Sequence, residues 1–178
     1  MRGSKSKMVV VILVACTSSI VWASPTETFE ITAEIEAGCL VNGAIPIAGS
    51  TIGNIGLIDF GEASAISSLE LASQLTLANG FSLTCTPGVE VTMQVSEGNN
   101  FDAGTRFLAH TDNSANGGIA YKLFADSQLS TELAANSPMA LLRNSVENVN
   151  ITMHGQIILT GNHEVGSYSD ELVLTLEW

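Results

Sequence analysis

The chain has 178 residues, of which 46% are hydrophobic and only 13% charged, with a formal charge of −12 at pH 7. That length fits one domain. Its acidity excludes partners that present phosphate backbones, nucleic acid above all, or an anionic lipid surface.

Residues 1–23 have the plan of an export signal. Arg2, Lys5 and Lys7 give a positive start, Met8 to Ala15 is an apolar run, and Val21-Trp22-Ala23 offers a cleavage site before Ser24. Leu13-Val14-Ala15-Cys16 also fits a bacterial lipobox, which would make Cys16 a lipid-bearing N-terminus. The apolar character that continues through Ile20-Val21-Trp22 favours ordinary cleavage. No other run is long and apolar enough to span a bilayer. Cleavage after Ala23 leaves Arg106, Lys122 and Arg143, three basic residues against 18 acids, a formal charge of −15. Two cysteines remain, Cys39 and Cys85. In an oxidising compartment they predict one disulfide. Closing a loop of roughly 50 residues is worth about 4 kcal/mol in the chain-entropy model.

Past the signal, nearly every apolar run alternates. In Thr26 to Cys39, Phe29, Ile31, Ala33, Ile35 and Ala37 alternate with Glu30, Thr32, Glu34 and Glu36, the mark of a ribbon with one apolar and one charged face. Ile55 to Phe60 reads as a short strand closed by Gly61. Phe81, Leu83 and Cys85 form a face, Thr86-Pro87-Gly88 turns the chain, and Val89, Val91, Met93 and Val95 form the next, which predicts a hairpin. Glu97-Gly98-Asn99-Asn100 turns it again. Arg106 to Ala109 and Gly118 to Phe124 read as strands around a polar loop, His110 to Gly117. Residues 126–147 are the least legible, with Met139-Ala-Leu-Leu142 either a helical turn or an edge. Val149, Ile151, Met153, Ile157 and Leu159 predict a long strand with Gly155 as a bulge, and Leu172, Leu174, Leu176 and Trp178 a final one. About seven short strands without a linker predict one all-β antiparallel sandwich.

Residues that could carry chemistry are few. His110, His154 and His163 match no metal or protease spacing. Gly166-Ser-Tyr-Ser-Asp170 lacks the glycine-serine-glycine elbow of a hydrolase. Asp59-Phe60-Gly61 matches a kinase triplet with no other kinase element, and reads as a strand end. Asn150-Ile-Thr152 has the form of a glycosylation acceptor but falls within a strand face. The loops Glu97 to Asp102 and Asp112 to Asn116 offer oxygen ligands without the regular spacing of a calcium loop. The expectation is no catalytic residue, no metal and no cofactor.

The ribbon at residues 28–37 has two readings from its pattern alone. It is the first strand of a complete, monomeric sandwich, or a strand given to a neighbouring molecule. The chain resembles the spore coat protein U family, the pilin subunits of archaic chaperone–usher (Csu-type) pili. The matching stretches are Ala37-Gly38-Cys39, Leu57-Ile-Asp-Phe-Gly61, Phe81-Ser-Leu-Thr-Cys85, Tyr121-Lys-Leu-Phe-Ala-Asp126, His154-Gly155 and Gly166-Ser-Tyr-Ser-Asp170. Residues 62–78 and 127–147 fit that pattern poorly.

The resemblance implies an incomplete immunoglobulin-like antiparallel β-sandwich that a donor strand from another subunit completes. Residues 24–38 would then be the donor segment, presenting Phe29, Ile31, Ala33, Ile35 and Ala37, and residues 39–178 the pilin domain. Its implied partners are a periplasmic chaperone, an outer-membrane usher and neighbouring pilin subunits, with the finished fibre on the cell surface. Leu172, Leu174, Leu176 and Trp178 would line the groove, with Trp178 and the terminal carboxylate anchoring the subunit to basic residues of the chaperone. The alternative is a secreted or lipid-anchored sandwich that binds a glycan or surface as a monomer.

Overall fold

The computed structural model describes residues 26–78, 80–112, 117–141 and 148–178. The expected export segment with its candidate Cys16 lipobox, Arg143, Leu142 and most of the Asp112 to Asn116 loop lie outside the described residues. The chain divides into two units, Met1–Ile35 and Glu36–Trp178. In the first, residues 26–35 form no strand, and Phe29, Ile31 and Ile35 are 83, 81 and 95% exposed. Ala33 in this unit and Ala37 in the next are exposed as well.

Among the described residues, the second unit holds thirteen short strands and no helix. In chain order they begin with β1 (Cys39–Val41), β2 (Gly56–Leu57), β3 (Glu70–Gln74), β4 (Thr76–Leu77), β5 (Leu83–Cys85) and β6 (Thr92–Val95). They continue with β7 (Phe101–Asp102), β8 (Thr105–His110), β9 (Ile119–Phe124), β10 (Met139–Ala140), β11 (His154–Ile158), β12 (Tyr168–Ser169) and β13 (Leu174–Glu177). The largest sheet runs β12-β8-β9-β11-β3, with β7 folded back on β8, and a second runs β10-β6-β13. Two small pairs, β1-β5 and β2-β4, complete the set, and every pairing is antiparallel. The protein is thus all-β, as its alternation predicts.

One core lies under both main sheets. Val91, Met93 and Val95 reach it from the β6 side, and Ile119, Tyr121, Leu123 and Ile157 from the larger sheet. Val149, Ile151, Met153 and Leu159 join them on the same phase. That period of two is what a pleated strand imposes on a half-buried surface. Cys39 and Cys85 stand directly opposite each other in the β1–β5 ladder and form the disulfide, with S–S 2.03 Å and Cα–Cα 4.0 Å.

Three local expectations change and one open alternative is settled. β5 and β6 are not a hairpin: β5 pairs with β1, whereas β6 pairs with β10 and β13. The reason is that both edges of β5 are taken, one by the disulfide-linked β1 and the other by Asn148 and Val149, through the Thr84–Asn148 bridge and a 3.0 Å bond from Val149 N–H to the Leu83 carbonyl. The Thr86 to Val89 turn therefore carries the chain from one pair into another sheet. Gly155 is not a bulge, since it sits in regular register between Ser73 and Leu123. Its missing side chain leaves room for Phe60, whose Cζ would lie 2.7 Å from a Cβ there. Met139-Ala140 resolves as an edge strand, not a helical turn. The strand expected over Ile55 to Phe60 is ordered only at Gly56–Leu57, and Gly61 N–H donates to Asp59 Oδ1 at 2.8 Å, so the kinase-like triplet is a turn.

Candidate functional site

β13 ends its sheet. Leu174, Thr175, Leu176 and Glu177 pair with Val95, Gln94, Met93 and Thr92 of β6, and among the described residues nothing pairs with the other edge. The strand alternates as its sequence requires: Leu172, Leu174 and Leu176 are half-buried against the core, while Glu171, Val173, Thr175 and Glu177 are exposed. Trp178, on the phase of the leucines, is 46% exposed. An edge strand with an incompletely covered apolar row is a template for another strand, because its outer backbone donors and acceptors lack strand partners and its apolar side chains are only half-covered. The structure thus brings together the four residues expected to line a groove.

A polar cluster fixes this strand on its paired side. Ser96, just after β6, exchanges bonds with Val173: Ser96 N–H donates to the Val173 carbonyl at 2.9 Å, and Val173 N–H donates to Ser96 Oγ at 2.9 Å. Asp170, just before β13, accepts from Tyr121 Oη at 2.6 Å, from Asn99 N–H at 2.9 Å and from Asn100 Nδ2 at 3.0 Å. Gly98, at φ 85°, leaves space for that carboxylate, which a Cβ there would strike. The Glu97 to Asp102 loop, a weak calcium candidate by composition, is therefore tied to Asp170.

Arg106 lies beneath the cluster, 5% exposed. Its guanidinium donates to the Ser96 carbonyl from Nε at 3.1 Å and from Nη2 at 2.8 Å, and to the Leu133 carbonyl from Nη1 at 2.8 Å. A buried cation needs such saturation to remain charged. Burial lowers its pKa, opposed by the field of Tyr121, Glu132, Asp170 and Glu97. Burial likewise raises the Tyr121 hydroxyl, aided by its bond to Asp170 and by that carboxylate's charge. Tyr121 stays protonated and donates throughout the ordinary pH range. Pattern reading missed this cluster. Its one signal is that Arg106 shares the inward phase of β8 with Leu108 and His110, where an apolar residue belongs.

The remaining candidates serve local structure. His110 is buried, with Nδ1 accepting from Asp112 N–H at 3.2 Å and Nε2 3.2 Å from the Val165 carbonyl. The ring of Tyr168 meets His110 and His163 edge-on, with centroids 5.1 and 6.4 Å apart. His154 lies in β11. Among the described residues no three His, Cys, Asp or Glu side chains gather as a metal-ligating group. A recess of about 410 Å³ between Leu75, Phe81 and residues 148–152 offers amide and hydroxyl groups from Gln74, Asn148, Asn150 and Thr152 and, among the described residues, no titratable side chain.

A family model described as the Spore Coat Protein U domain matches residues 25–175. No curated protein matches the chain. Among solved structures, the chain is similar at 17% identity and a TM-score of 0.47 to one in the crystal structure of the CsuC–CsuE chaperone–tip adhesion subunit pre-assembly complex from archaic chaperone–usher Csu pili of Acinetobacter baumannii. That alignment covers 81% of this chain and 40% of the other, so the chain spans well under half of that relative's length. From residue 25 to residue 175, this chain belongs to the Spore Coat Protein U domain family.

Proposed function

We propose that the chain is a structural subunit of a bacterial chaperone–usher surface fibre and that it polymerises by donor-strand exchange. In this reading residues 1–23 direct export and are removed, residues 24–38 are the donor segment, and residues 39–178 form the domain that accepts a donor from the next subunit. A periplasmic chaperone covers β13 until the usher delivers that donor, and the fibre stands on the cell surface in adhesion or biofilm. The subunit performs no catalysis.

One observation carries the reading: an alternating ribbon and an alternating strand edge, each uncovered, occur in the same chain. Phe29, Ile31 and Ile35 are almost fully exposed and belong to no strand, while Leu172, Leu174 and Leu176 are half-buried beside an open edge. Burying the three large donor residues would stabilise a joint by about 1.5–3 kcal/mol each. Backbone pairing would add about 1 kcal/mol per hydrogen bond. Gly38 supplies a joint before Cys39, which the disulfide holds to the subunit's own domain.

Deletion of residues 24–37 tests the proposal. The deleted subunit should be exported and bind its chaperone, yet should donate to no neighbour and drop out of the fibre interior. Fibres that incorporate it at the normal position would refute donation.

A further inference from the structure

The proposed joint leaves open how the two strands align, and the side chains of the two segments favour one alignment with a consequence for its strength. Resting on the donor reading, the geometry points to an antiparallel joint in one register, closed against the repulsion of its own glutamates. In it, Phe29 faces Trp178, Ile31 faces Leu176, Ala33 faces Leu174 and Ile35 faces Leu172 of a second copy. Glu30 then stands opposite Glu177, and Glu36 opposite Glu171. The joint is consequently weakest at low ionic strength.

Three observations lead there. Among the described residues every strand pair is antiparallel, the arrangement that is slightly more stable per residue. Within antiparallel registers that turn both apolar rows inward, this one overlays all four donor side chains from Phe29 to Ile35 on all four acceptor side chains from Leu172 to Trp178. A shift of two that sets Glu27 against Trp178 loses one of those pairs, and the opposite shift gives up Phe29 for the smaller Ala37 on Leu172, so the register chosen buries the larger apolar side chains. It also sets the ring of Phe29 against that of Trp178, a favourable cross-strand pair.

The outward faces follow from the same alternation. On the acceptor side they carry Thr175 and Glu177 of β13 and, in the segment leading into it, Glu171 and Val173, with Thr92 and Gln94 of β6 beside the strand. The donor adds Glu30, Thr32, Glu34 and Glu36. Among the described residues this face holds no lysine or arginine: Arg106 is buried against main-chain carbonyls and Lys122 pairs with Glu132 at 2.9 Å on the larger sheet. Like charges directly opposite in a ladder oppose pairing. At exposed positions salt screens them, with a Debye length of about 30 Å at 0.01 M and about 3 Å at 1 M.

A charge-reversal cycle tests this with a synthetic peptide of residues 24–38 and the full chain presented in its chaperone complex. The readout is the half-time of peptide release at 20 mM and 500 mM NaCl. Peptide E30K on the unaltered chain, and the unaltered peptide on chain E177K, should each release about fivefold more slowly at 20 mM NaCl. E30K on E177K should return to within twofold of the unaltered pair, and all differences should shrink at 500 mM. Should E177K fail to fold, peptide E36K and chain E171K form the same cycle at the other end. Independent, multiplying effects of the two substitutions in the cycle would overturn this register. Failure of the donor reading looks different: a peptide with I31D and I35D would then enter as readily as the native one.

Discussion

The hydroxyl of Tyr121, in the middle of β9, donates a 2.6 Å hydrogen bond to Oδ2 of Asp170, the residue that leads into the last strand. Through that carboxylate one central strand of the larger sheet and the Asn99–Asn100 turn both hold the base of β13. Asp170→Asn replaces an acceptor of three bonds with a group whose amide faces donors. It should lower stability by about 1.5–3 kcal/mol, and Tyr121→Phe by about 1–2 kcal/mol. Thermal unfolding of the full chain should show Tm falling by about 2–4 °C per kcal/mol. The double variant should cost less than the sum of the two, because both remove one shared bond.

Phe60 occupies the space above Gly155. A Cβ at residue 155 would approach Phe60 Cζ to 2.7 Å and Ile58 Cγ2 to 3.0 Å, so Gly155→Ala should destabilise by about 1–3 kcal/mol through overpacking. Combining it with Phe60→Leu should recover part of that loss, whereas Phe60→Leu alone should destabilise. Denaturant midpoints of the three variants give the comparison.

Asp126 organises the turn after β9 by accepting from Gln128 N–H at 2.9 Å, Ser130 N–H at 3.2 Å, Ser130 Oγ at 3.0 Å and Thr131 N–H at 2.7 Å. Desolvation pulls its pKa upward, but the bonds from Ser130 and Thr131 outweigh it and hold the carboxyl down at about 2, below the ordinary 3.8. A folded pKa below the unfolded one means stability that is present above about pH 4 and lost as pH falls through about 2. Asp126→Asn should therefore unfold at a lower temperature than the native chain at pH 7, with the gap closing by pH 2. A titration of the Asp126 carboxyl by NMR should place its midpoint near 2; a midpoint near 4 would contradict the turn.

In the proposed joint Ile31 lies on the donor ribbon and Leu174 on the acceptor strand. Ile31→Asp should reduce incorporation into fibres by about ten- to a hundredfold while leaving the unfolding of the subunit's own domain unchanged, because its burial is realised only in the joint. Leu174→Asp should impair both, since Leu174 already packs on the core. Quantitation of each variant in shed fibres, beside its melting curve, separates the two effects.

Much of this protein is legible without coordinates because strand faces are local. Phe29 through Ala37, Ile119 through Leu123 and Leu172 through Trp178 declare their apolar side by alternation alone, and Cys39 and Cys85, the two cysteines outside the expected export signal, declare their bond. Residues 70–74, Glu-Leu-Ala-Ser-Gln, hide β3, for they lack the β-branched and aromatic residues that mark a strand, and only pairing with β11 makes them one. The register and partner of each strand are matters of contacts distant in sequence. Residues 83–85 and 92–95 suggest a hairpin until β1 and Asn148 are seen on both edges of β5. The Asp170 cluster joins residues 49, 70 and 71 positions apart, which no local pattern announces. The amino-acid order by itself determined which faces are apolar, how the cysteines pair and that the chain is all-β. The tertiary structure alone decided which edges are occupied and that, among the described residues, β13 keeps one open, because an edge is satisfied or left bare only by what the rest of the chain brings beside it.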